Sequence, residues 1–216
     1  MFVFRIKSAV LLLVIATATL FPSLSAAQNC ARSGVPANAA SVVPTRNPDQ
    51  TLFNHTVLAE VNFERCRAGL APLKLAGGLI TVAGNHASWM AKRGALSHKS
   101  TVRGQSSVQE RVLASGLNAR RGSENIGNLP RYQFSGNRRI NVNSMSQCDF
   151  TTTSGRQIAP HSYETLATQI VGMWMNSSNH RRNVLDRNVS SVGTALRFDK
   201  KGSHCGQFFL SQNFAG

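Results

Sequence analysis

Apolar residues recur at helical spacing in four places along this chain and alternate with polar ones in two places near its end. Phe53, Val57 and Val61 fall at i, i+4 and i+8, one face of a helix predicted over 49–68 that Gly69 ends. Leu79, Val82, Ala83, His86, Ala87, Met90 and Ala91 form the clearest stripe, a helix over 78–93 closed by Gly94. His86 sits inside that stripe and reads as a core histidine hydrogen-bonded to a neighbour. Val108 and Val112 mark a shorter helix over 106–115, ended by Gly116. Tyr163, Leu166, Ala167, Ile170, Val171 and Trp174 mark a fourth over 162–176, with Ser162 and Thr165 placed to cap it.

The last segments alternate. Val192, Thr194, Leu196 and Phe198 share one face of a strand over 191–198. A strand over 205–214 turns Phe208, Leu210 and Gln212 one way and Phe209 the other. Residues 199–203 join them as a hairpin loop. Apolar residues on both faces call for cover on both sides. The predicted class is α+β, a single three-layer α–β–α sandwich with a central antiparallel sheet.

Other stretches break these patterns. Residues 28–48 are rich in Asn, Ala, Ser and Pro and read as an extended arm before a domain over 49–216. Residues 70–75 are a short apolar link. Residues 129–160 read as an insertion: Tyr132-Gln133-Phe134, a Ser-Gly-Asn turn and Arg139-Ile140-Asn141-Val142 alternate as a hairpin would, and the rest, through Thr153, is polar and expected to be loose apart from Cys148.

Composition places the chain outside the reducing cytosol. Arg5 and Lys7, the apolar run 9–21 and Ser25-Ala26-Ala27 have the layout of a secretory signal peptide over 1–27, cut after Ala27. The run is short for a bilayer core of about 30 Å, and Gln28-Asn29 before Cys30 do not suit lipid attachment. A secreted or periplasmic monomer is expected. Cys30, Cys66, Cys148 and Cys205 make an even set, so two disulfides are expected from three possible connectivities. Cys30–Cys66 would tie the arm to the first helix, and Cys148–Cys205 the insertion to the last strand; this is the preferred pairing. None has the CxxC spacing of a metal or redox site.

The net charge is +15, with paired basics at Arg120-Arg121, Arg138-Arg139, Arg181-Arg182 and Lys200-Lys201. Such a surface attracts anionic cell-envelope polymers or lipid headgroups. Nucleic acid is not an expected partner, because no named nucleic-acid motif is present.

Three polar stretches stand out as candidate chemistry. The turn after the fourth helix holds His180 between Asn179 and Asn183. Leu96-Ser97-His98 follows the second helix, where site residues tend to be placed. Ser123-Glu124-Asn125-Ile126 reads as a turn between them. These three loops are expected to meet in one polar site.

The same residues carry a resemblance. Val61-Asn62, Arg65, Gly69-Leu70 and Leu73 are followed by His86, Met90 and Leu96-Ser97-His98. Glu124-Asn125-Ile126, Trp174, His180-Arg181, Asn183-Val184-Leu185, Val192-Gly193 and Ser211-Gln212-Asn213-Phe214 complete the series. Together, over about 49–214, they resemble the CAP superfamily of cysteine-rich secretory, venom-antigen and pathogenesis-related proteins, in its bacterial SCP-like form. The resemblance implies a single α–β–α sandwich with a surface cavity lined in many members by two His and two Glu, where some members bind a divalent cation. His98 matches the first His, Glu124 the first Glu and His180 the second His. The second Glu has no match: its place, three residues after Trp174, holds Ser177. Ser123 stands where the family often has Gly, at a cost of about 1 kcal/mol if the position needs a positive φ.

Two imidazoles and a carboxylate, His98, Glu124 and His180, can hold zinc or another divalent cation with a position open, and Asn125, Ser177 and Asn183 are expected to line the cavity around them. A weak zinc-dependent hydrolase is the alternative, with zinc-bound water as nucleophile or Glu124 as general base. No HExxH helix is present, and Ser177, His180 and Glu124 form no recognisable nucleophile motif. The expected function is therefore a binding or interaction module for a glycan, lipid or protein.

Overall fold

The computed structural model describes residues 29–134 and 139–216. The expected signal peptide and the Ser-Gly-Asn turn lie outside these residues. Five helices and six strands follow in the order α1 (Gln50–Arg67), β1 (Lys74–Leu75), α2 (Gly77–Arg93), α3 (Val108–Ala114), β2 (Gly122–Pro130), β3 (Ile140–Ser144), β4 (Asp149–Thr152), α4 (Tyr163–Asn176), α5 (Ser178–Val184), β5 (Ser191–Asp199) and β6 (Gln207–Ala215).

The main sheet has the order β1-β5-β6-β2. β5 pairs antiparallel with β6 and β6 with β2, whereas β1 runs parallel to β5. The sheet is thus mixed, not wholly antiparallel as expected. The cause lies in the link 70–75. The Asn62 side chain accepts from Leu73 N and donates to Leu73 O, which holds the link extended beside Ser191 and Val192.

α1 and α4 cover one face, where Phe53, Val57, Leu166, Ile170 and Trp174 meet Val192, Leu196, Phe208, Leu210 and Phe214. α2 covers the other, with Met90 against Phe209 and Ile126. Each large side chain removed from water here contributes about 1.5–3 kcal/mol. Gly193 lets α2 approach, since a Cβ there would lie 2.3 Å from Ile80 N. The caps follow the residue types: Asp49 accepts from Leu52 N, Ser107 from Glu110 N, and Ser162 with Thr165 forms a capping box.

Three expectations need correction. The polar stretch 123–126 is not a turn but part of β2, paired with β6 along its whole length. Ser123 is accordingly extended and carries none of the strain a positive φ would bring. The turn after α4 is the short helix α5. In the insertion, Ile140–Val142 does not pair with 132–134 but with Phe150–Thr152 across a tip near Cys148, while Tyr132 bridges to Pro160. Burial decides this pairing: it places Phe150 beside Tyr132 and Ile158 in a small core, with Phe134 packed on it.

Both disulfides form as preferred, Cys30–Cys66 and Cys148–Cys205. Among the described residues no helix is long and apolar enough to cross a membrane.

Candidate functional site

Successive residues of a strand point to opposite faces, and β2 uses this to separate two polar networks. Glu124 turns to the α2–α3 face. Asn125 turns to the α4–α5 face.

Glu124 is 4 % exposed and both of its oxygens are engaged. Arg111 donates from Nε to Oε2 and from Nη2 to Oε1, each at 2.8 Å. His98 Nδ1 lies 2.9 Å from Oε1, and Ser211 Oγ donates to Oε2 at 3.3 Å. His86 Nε2 is 3.6 Å from Oε1. Burial pushes the Glu124 carboxyl up, but the hydrogen bonds from His98 and Arg111 and the charges of His86 and Arg111 outweigh it, so its pKa falls below the ordinary value. Glu124 is therefore an ionised anchor at neutral pH.

The same partners fix the loop that carries His98. His86 Nε2 donates to Ser97 O at 2.8 Å, and Arg111 Nη2 donates to His98 O. Arg111 Nη1 donates to Gln105 O, at the far end of that loop. His86 is a buried, hydrogen-bonded histidine, as its place in the apolar stripe predicts, and it also belongs to this network. Burial lowers its pKa, against the pull of Glu124.

The His98 contact fixes a tautomer. An ionised carboxylate only accepts, so the proton shared with Glu124 sits on His98 Nδ1. Nε2 is left as the ring nitrogen free of this contact. Its side chain is 50 % exposed.

On the other face Asn183 donates to Asn125 Oδ1 and Glu124 O, and Asn125 donates to His180 O. Trp174 Nε1 donates to Ile126 O at 3.0 Å. α4 and α5 thereby occupy carbonyls on the free edge of β2 that would otherwise invite another strand. Asn125 is buried and Asn183 half-buried, so they brace α5 rather than line an open cavity. Ser177 ends α4 and begins α5.

His180 sits on α5, half-buried, and among the described residues no hydrogen bond engages its ring. Burial lowers its pKa, and the charge of a protonated His98 lowers it further. Both effects favour the neutral ring, which has lone-pair nitrogen available.

His98 and Glu124 are brought together, but the full expected set is not. Among the described residues no group of three or more His, Cys, Asp or Glu could hold a metal ion. The buried guanidinium on Glu124 opposes a cation on that carboxylate.

Sequence reasoning missed Arg111. It lies on the inward face of α3 beside Val108 and Val112, at 0 % exposure. A basic residue in register with two inward valines was the available signal, since a buried arginine requires a partner.

The chain is thus a helix-covered sheet whose edge strand holds His98 through the buried Glu124. The chain belongs to the cysteine-rich secretory protein (CAP) family, whose model matches residues 58–214. An extracellular protein containing an SCP domain from Bacillus anthracis shares the fold, with a TM-score of 0.50 and 19 % identity over 77 % of this chain and 41 % of that one. A cysteine-rich secretory protein from Staphylococcus aureus aligns with a TM-score of 0.47 and 17 % identity over 80 % of this chain and 40 % of that one. An outer surface protein from Borrelia burgdorferi aligns with a TM-score of 0.48 and 12 % identity over 74 % of this chain and 89 % of that one. The chain spans less than half the length of the Bacillus and Staphylococcus proteins. No curated protein matches it significantly.

Proposed function

We propose that this protein is an exported binding module that takes a divalent cation between His98 and His180. One observation carries the reading: the 2.9 Å contact of His98 Nδ1 with Glu124, which leaves Nε2 as the free donor of a half-exposed ring. A carboxylate on the far nitrogen of a metal-binding imidazole fixes the ring and raises its basicity. Glu124 enters as the residue that positions His98, not as a ligand. His180 is the second donor: burial lowers its pKa, and it lies near enough to His98 to feel that ring's charge.

Two imidazoles suit zinc, which when bound supplies a Lewis acid with positions open to ligand donors. His98 and His180 hold it, Glu124 and Arg111 hold His98, and Asn125 and Asn183 hold α5. The ligand is one whose oxygen or anionic groups complete the cation's shell. Two disulfides and the CAP family suit export to a secreted or periplasmic setting.

Calorimetric titration of the chelator-stripped protein with zinc tests this. Saturable binding is expected in the parent and in Ser177→Ala, and none in His98→Ala/His180→Ala. Undiminished binding in the double variant would contradict the site.

A further inference from the structure

The face of α5 that carries Arg181 and Arg182 belongs to a second feature, independent of the histidine pair. With the loop that follows, it borders a hollow of about 410 Å³ whose lining includes Arg121, Ser178, Arg181, Arg182, Asp186 and Arg187. Four guanidiniums thus share one concavity with one lining carboxylate.

That carboxylate is already committed. Arg121 Nε donates to Asp186 Oδ2 at 2.6 Å, and Asn188 donates to Asp186 Oδ1 from N and Nδ2. Arg181 and Arg182 spend single donors on neutral acceptors, Met175 O and the Asn179 side chain. Each keeps the remaining donors of its fork. Arg181, Arg182 and Arg187 are all exposed.

The backbone beneath is rigid. Arg65, 1 % exposed, donates from Nη1 to Val184 O and Asp186 O and from Nε to Ala71 O. It rivets the 184–186 segment to α1, so the arginines stand on a fixed platform. Preorganisation of this kind cuts the ordering cost of binding.

We infer that this hollow is a binding site for phosphoryl groups. A lone carboxylate is satisfied by one arginine, as Asp186 is by Arg121. Three further guanidiniums in one hollow exceed what one carboxylate can use. They match the larger charge and the several acceptor oxygens of a phosphate, which arginine forks recognise in bidentate geometry. Ser178 adds a hydroxyl donor at the rim. The group can reach the hollow on a soluble phosphate ester or on a lipid headgroup.

The test uses the disulfide-intact protein at low ionic strength. One arm titrates pyrophosphate by calorimetry. The other measures co-sedimentation with phosphatidylglycerol–phosphatidylcholine vesicles against phosphatidylcholine alone. Arg181→Gln/Arg182→Gln/Arg187→Gln is compared with Arg46→Gln/Lys200→Gln/Lys201→Gln, which removes equal charge elsewhere. Binding is expected to fall at least about tenfold, about 1.4 kcal/mol, in the first variant, and less than about twofold in the second. Binding in the pyrophosphate arm identifies a soluble phosphate as sufficient; binding only to anionic vesicles assigns the site to headgroups. No binding in either arm, or equal loss in both variants, overturns the inference. Neither result bears on zinc binding at His98 and His180.

Discussion

Arg111 grips Glu124 through both oxygens at 2.8 Å, and neither side chain is exposed. This is the pivot of the molecule: the same guanidinium reaches the backbone of His98 and Gln105. Breaking a buried ion pair by removing one partner costs about 3–5 kcal/mol, because the other charge is left unpaired. Arg111→Met should therefore destabilise by that amount in urea unfolding. Arg111→Met/Glu124→Gln, which leaves no lone charge, should lose clearly less. If the double variant instead loses as much as the two singles combined, the pair is not coupled as the geometry requires.

Acid should weaken the fold in two stages. His161 is buried, its Nδ1 meets Thr165 Oγ1, and burial lowers its pKa to about 4. The unfolded chain takes up this proton below about 6.5 while the folded chain does not, so stability is complete above about 6.5 and declines as pH falls toward 4. Glu124 adds a later loss: its folded pKa is depressed, so its contribution is complete above the ordinary carboxyl value and disappears as pH falls through the lowered one. Melting temperatures between about pH 7.5 and 4 should drop by several degrees in the parent. His161→Gln should flatten the upper part of that slope. An unchanged slope in the variant would remove His161 from the account.

The disulfides close loops with sequence separations of 36 and 57. Loop-closure entropy assigns each about 4 kcal/mol as an upper figure. Reduction should lower the melting temperature sharply. Cys148→Ser/Cys205→Ser should additionally expose protease sites in 131–160, whose small core rests on Phe150. Equal proteolysis of parent and variant would show that the core holds without its cross-link.

Two glycines make opposite predictions. Gly193→Ala would drive a Cβ into the backbone of α2 at Leu79 and Ile80, and overpacking against backbone should cost about 3 kcal/mol or more. Gly172, within α4, has nothing within 4 Å of its added Cβ. Gly172→Ala should be neutral or stabilising by up to about 1 kcal/mol through helix propensity. Chemical denaturation of both variants checks the pair.

α1 to α4 were legible because each carries apolar residues at helical spacing, as Leu79, Val82, Ala83 and Met90 do in α2. β2 was not. Glu124-Asn125 look like turn residues until Arg111, 13 positions upstream, and Asn183, 59 positions downstream, satisfy them in a strand. α5 was hidden for a similar reason. Its seven residues bury only Val184, and it is held by side-chain bonds to the edge of β2 rather than by a stripe of its own. His98 and His180 were identifiable as site candidates from their places after helices. That Glu124 would be taken by Arg111 was not, because the Val108, Arg111 and Val112 spacing marks Arg111 as inward without naming its partner.

The proposed site holds a divalent cation on two imidazoles, His98 and His180, the first oriented by Glu124. The most direct measurement follows the histidine ring signals of the chelator-stripped protein by NMR during zinc titration near neutral pH. The signals of His98 and His180 should move together and saturate at one equivalent, His98 should coordinate through Nε2, and Glu124→Gln should weaken the titration by about 10–100-fold. Movement of only one ring, or of neither, would contradict the account.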